Sequence, residues 1–78
     1  MFTVLDIDPN SDPPEISLRD MGSGMIVIVD LTAPQLKTIQ TLGIGEGEMV
    51  SASLMSIPNE QETTSLWRLT GPMRLLSK

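Results

Sequence analysis

The chain contains no cysteine, histidine or tyrosine, and has a single tryptophan and a single phenylalanine. Each absence removes a class of chemistry. Without cysteine there is neither a disulfide framework nor a thiolate zinc site, and the sequence leaves the redox compartment open. Without histidine, cysteine and tyrosine the usual nucleophile-and-base pairings cannot be assembled, because a serine needs a base and only carboxylates and two lysines remain. Paired carboxylates can cleave glycosides, but they need a cleft that 78 residues rarely enclose. The expectation is a protein that is not an enzyme and carries no cofactor.

Long hydrophobic runs are missing too. The longest, residues 25–29, has five apolar residues, against the roughly 20 needed to span a bilayer. No basic segment followed by an apolar stretch opens the sequence, so no secretory signal is expected. These absences point to a cytoplasmic or virion-associated protein without a membrane partner.

Basic residues are few, five Lys and Arg against ten Asp and Glu, giving a net charge of −5. Nucleic-acid binding draws its affinity from cations on phosphates and aromatics on bases. With two aromatics and a pI near 4.3, direct nucleic-acid binding is disfavoured. The charge is uneven: residues 1–30 carry Asp6, Asp8, Asp12, Glu15, Asp20 and Asp30 against Arg19 alone, whereas the last fourteen carry Arg68, Arg74 and Lys78 and no acid. Such a division favours contacts between copies or docking on a basic partner.

What is present suffices to fold. Hydrophobic residues make up 40% of the chain, outside the disordered class, and residues 1–78 are expected to form a single small β-rich domain. The organising stretch is residues 25–31, Met-Ile-Val-Ile-Val-Asp-Leu. A short, uniformly apolar and β-branched run reads as a central strand covered on both faces. Residues 15–19 alternate, with Ile16 and Leu18 on one face, and Gly22 and Gly24 supply a turn, which predicts an antiparallel hairpin with the central strand. Residues 1–7 suit a first or edge strand, stopped by Pro9, Pro13 and Pro14.

A helix start follows at once. Thr32 suits the N-cap, Gln35 completes a capping box, Pro34 falls in the first turn, and Leu31 and Leu36 stand at the spacing of a hydrophobic staple. Leu36, Ile39 and Leu42 form one apolar stripe, and Gly43 with Ile44 suits a Schellman ending. Val50, Ala52 and Leu54 then alternate in a fourth strand that extends toward Ile57. After a polar loop over residues 58–64, residues 65–76 form either one bent strand or a fifth strand and a tail.

Residues 42–50, Leu-Gly-Ile-Gly-Glu-Gly-Glu-Met-Val, lie between an amphipathic helix and a strand. This passage resembles the helix-to-strand passage of FeoA-type SH3-like domains, small cytoplasmic modules associated with bacterial ferrous-iron uptake. That family usually has a proline where this chain has Glu46, and residues 1–20 have no counterpart in it. The resemblance implies a small barrel.

The fold expected is mainly β with one short α-helix, in the order β-β-β-α-β-β: a small five-stranded barrel, OB or SH3-like. The alternative is an open antiparallel sheet with one packed helix. The function expected is a non-enzymatic protein–protein interaction or assembly module, acting on a protein partner or as a homo-oligomer. Its size and acidity suit a phage or mobile-element accessory protein, such as a capsid cement subunit or an inhibitor of a host machine. The expected contact residues are Trp67, Met55, Met73 and Leu75, because methionines and tryptophan are common on adaptable contact surfaces, with Arg68 and Arg74 beside them. Two alternatives stand. In one, a small regulatory barrel senses a metal through Asp6, Asp8, Asn10 and Asp12, whose alternate oxygen ligands echo the start of an EF-hand loop, although Ser11 and Ser17 replace its glycine and its bidentate glutamate. In the other, an OB-like domain binds single-stranded nucleic acid through Trp67, Arg68 and Arg74.

Overall fold

A computed structural model describes residues 1–57 and 66–76 of the chain. Among them lie seven strands and one helix: β1 (Phe2–Asp8), β2 (Glu15–Asp20), β3 (Ile26–Asp30), α1 (Ala33–Thr41), β4 (Met49–Ser51), β5 (Leu54–Ile57), β6 (Leu66–Leu69) and β7 (Arg74–Leu75). All seven strands join one sheet, in the order β5-β6-β3-β2-β1-β4-β7. The β3–β6 pair is parallel and every other pair is antiparallel. The architecture is therefore an open, curled sheet with one helix, a half-barrel.

The first three strands form a meander whose turns the local sequence specifies. Between β2 and β3, Gly24 adopts φ +76° and the Asp20 carboxylate accepts the Gly22 N–H at 2.8 Å. Between β1 and β2, Asp8 accepts the Asn10 N–H and the Ser11 hydroxyl donates to the Asp8 and Pro13 carbonyls. A register shift between Val4 and Asp6 inserts Leu5 as an extra residue in β1. That bulge puts Val4 and Ile7 opposite Leu18 and Ile16, on the face where Ile16 and Leu18 are buried. Paired on both sides, by β2 and β4, β1 is an interior strand, not an edge.

The curl has a covalent cause. Strands β4 and β5 lie near opposite ends of the strand order, yet only Ala52 and Ser53 separate them. Three peptide steps reach at most about 11 Å. The two sides of the sheet must therefore approach one another. The same holds for β6 and β7, and the two links meet where the Thr70 N–H donates to the Ser53 carbonyl at 2.9 Å. The single fourth strand expected over residues 50–57 is thus two strands on different parts of the sheet. Residues 65–76 likewise contain two strands, and seven short strands replace the five expected.

Helix α1 forms as its capping signals require. Thr32 Oγ1 accepts the Gln35 N–H at 3.2 Å, and Gln35 Oε1 accepts the Thr32 N–H at 2.9 Å. At the other end Gly43 has φ +72°, its N–H donates to the Gln40 carbonyl, and the Ile44 N–H donates to the Ile39 carbonyl, the Schellman pattern. Of the expected stripe Ile39 is buried, Leu36 is half-buried, and Leu42 is exposed. The helix delivers Leu31, Ile39 and Ile44 to the concave side of the sheet, where they join Val4, Ile16, Leu18, Val29 and Val50 in one core. Among the described residues no polar or charged side chain is buried, so the core is held by apolar contact alone.

One expectation about the central strand is overturned. Strand β3 lies between β6 and β2 as expected, but it is covered on one face only: Val27 and Val29 are buried, while Ile26 and Ile28 are 56% and 39% exposed. The one helix among the described residues lies on the concave side of the sheet, and it leaves Ile26 and Ile28 on the convex side exposed.

Candidate functional site

Two surfaces stand out. The first is the convex face of β3 and its neighbours. Ile28 lies opposite Ser17, and Ile26 opposite Arg19. One row further, Asp30 lies between Arg68 on β6 and Glu15 on β2, and Glu15 is in turn opposite Asp8. Met55 on β5 is the cross-strand neighbour of Arg68 and is 56% exposed. The face therefore carries an apolar stripe along β3, with three carboxylates in one row at its end. Such a face offers apolar contact in its centre and negative charge on one side.

The second surface is a hollow of about 360 Å³ on the concave side, lined by Phe2, Asp20, Met25, Val27, Leu54 and Trp67. It takes in both aromatic residues of the chain. Phe2 reaches it because it is paired with Asp20, and Trp67 because it is paired with Val29, so both rings belong to the core-facing side. Both are half-buried. The Asp20 carboxyl is held below the usual carboxylate range, chiefly because it accepts the Gly22 N–H, with further help from the Ser23 backbone and hydroxyl and from the N-terminal ammonium. It remains a carboxylate at neutral pH. Among the described residues the lining is otherwise apolar.

A further hollow of about 470 Å³ lies beside the start of α1, with Asp12, Asp30, Gln35 and Arg68 in its wall. The helix N-terminus there is already satisfied by Thr32 and Gln35. Among the described residues its wall carries two acids, Asp12 and Asp30, against one arginine, Arg68.

The residues expected at a contact surface divide between faces. Trp67 and Leu75 lie on the concave side, opposite Val29 and Val50, and both are half-buried. Met73 is 3% exposed and belongs to the core, because the chain between β6 and β7 folds inward there. Met55 and Arg68 are neighbours on the convex face, and Arg74, opposite Ser51, is exposed near the other edge. Trp67 and Arg68, adjacent in sequence, point to opposite faces of β6. The structure also places Arg68 next to Asp30, so the acidic and basic parts of the sequence meet within the molecule.

Of the acidic loop, Asp6 and Asp8 are exposed on β1, and Asp8 bonds the backbone of its own turn. Asn10 and Asp12 belong to the following loop. Among the described residues no three acidic, histidine or cysteine side chains converge to hold a metal ion. No helix among them is long and apolar enough to cross a membrane.

Sequence reasoning missed Ile26 and Ile28 on the convex face and Phe2, Asp20, Met25, Val27 and Leu54 around the concave hollow. An unbroken apolar run gives no sign of which alternate side chains face solvent, and the hollow is assembled from five strands. No family model, no curated protein and no solved structure matches the chain.

Proposed function

We propose that the protein is a non-enzymatic interaction or assembly module that docks a protein partner, or another copy of itself, on the convex face around Ile26 and Ile28. The observation that carries this reading is the exposure of two isoleucines on a strand in the middle of the sheet. Isoleucine is among the residue types most often buried, and apolar patches rimmed by polar groups mark contact sites. The row of Asp30, Glu15 and Asp8 beside the stripe favours a partner with basic groups at the matching edge. The same reading takes the curled sheet as a small barrel of OB or SH3-like type. Size and acidity suit an accessory protein of a phage or mobile element, such as a capsid cement subunit or an inhibitor of a host machine.

The test is the solution mass of the purified chain by light scattering at two salt concentrations, together with capture of partners from the native host. Both are repeated with Ile26→Thr/Ile28→Thr. Loss of the oligomer, or of a captured partner, in a variant that keeps its far-UV spectrum supports the reading. An association that survives the double substitution overturns it.

A further inference from the structure

We propose that the hollow on the concave side binds a small amphipathic organic cation, an alkyl or aryl ammonium, with its apolar body against Trp67, Phe2 and Leu54 and its charged head beside Asp20. The volume, about 360 Å³, falls within the usual range of small-ligand sites, roughly 300–1,000 Å³. A chain with only two aromatic residues places both in this wall, half-buried, although its core is otherwise aliphatic. Indole and phenyl faces attract cations as well as hydrocarbon. Among the described residues Asp20 is the one charged residue of the lining, and no lysine or arginine contributes to it. Its carboxylate is fixed in place by the Gly22 N–H at 2.8 Å. An anionic ligand would meet that carboxylate and a net charge of −5, and a neutral one would leave the charge unused. The nearby N-terminal ammonium acts on the same carboxylate, so a ligand's head group shares Asp20 with it. The convex face plays no part in this site, because Ile26 and Ile28 lie on the other side of β3 from Val27.

The chain carries its own reporter. Trp67 is the only tryptophan and there is no tyrosine, so indole emission reads the hollow directly. The full chain is titrated with hexyltrimethylammonium, hexanol and hexanoate. The expected result is a saturable change in emission with the cation at lower concentration than with hexanol, and none with hexanoate. Asp20→Asn, which keeps the acceptor for Gly22, weakens the cation about fivefold, as an exposed charge pair allows, and leaves hexanol unchanged. Met25→Arg places a cation at the mouth from a side chain that is 62% exposed, so it removes cation binding without unfolding the chain. Ile26→Thr/Ile28→Thr leaves it intact, which separates this site from the docking face. Equal responses to the three probes, an unsaturable response to the cation, or cation binding indifferent to Asp20→Asn would overturn the proposal.

Discussion

Two substitutions to threonine on one strand test the sidedness on which the docking face rests. Ile26→Thr is the larger chemical change, since it removes two carbon groups and adds a hydroxyl. Fully buried, those groups would contribute about 1.6 kcal/mol at about 0.8 each. Ile26 is 56% exposed, so less than half of that applies, about 0.7 kcal/mol. Val29→Thr conserves shape, but Val29 is 0% exposed in a core with no buried polar group among the described residues. A hydroxyl there loses water without gaining a partner and costs about 2 kcal/mol. For a domain of this size 1 kcal/mol moves Tm by roughly 4–8 °C. Thermal melting followed by circular dichroism in dilute solution should thus show a fall of about 8–16 °C for Val29→Thr and about 3–6 °C for Ile26→Thr. The reverse order would mean that β3 is shifted by one residue, because a one-residue slip exchanges its faces. A loss in Ile26→Thr that grows with protein concentration would instead show the face covered by a second copy.

Three further outcomes follow from local geometry. Gly43→Ala should destabilise by about 1 kcal/mol, read as a denaturation midpoint, because φ is +72° there while a Cβ would meet nothing within 4 Å; the whole loss is backbone strain. Thr32→Ala removes one half of the capping box and should lower stability by about 1 kcal/mol, with Thr32→Ser restoring most of it. Asp20 has a folded-state pKa below its ordinary 3.8, so its ionised form favours the fold. That contribution is fully present above the unfolded value and is lost as pH falls through the folded one. Urea midpoints measured across acid pH should therefore fall less steeply for Asp20→Asn than for the parent chain, and equal slopes would refute the role given to this carboxylate.

The local elements were legible because their causes are local. Thr32, Gln35 and Pro34 fix the start of α1, and Gly43 and Ile44 fix its end, through bonds made within a few residues. The β2–β3 hairpin follows from the alternation of Ile16 and Leu18 and from the turn at Gly24. The bulge at Leu5 was not visible. It is the device that lets Val4 and Ile7, three positions apart, share one face, and only the partner strand reveals it. The division of residues 49–57 into two strands was also hidden, since Val50, Ala52 and Leu54 alternate as one strand would.

By itself the sequence determined which side-chain types the molecule lacks, which turns and caps it uses, and that the chain is mainly β with one short helix among the described residues. These are properties of residue type and near-neighbour spacing. The tertiary structure decided which side of β3 meets solvent, that Met73 enters the core while Met55 stays outside, and that Phe2, Asp20 and Trp67 converge on one hollow. Those outcomes depend on how strands distant in sequence are ordered, and on the one helix among the described residues, which can cover only one side of the sheet. Apolar residues of one type carry no mark of the side they will take.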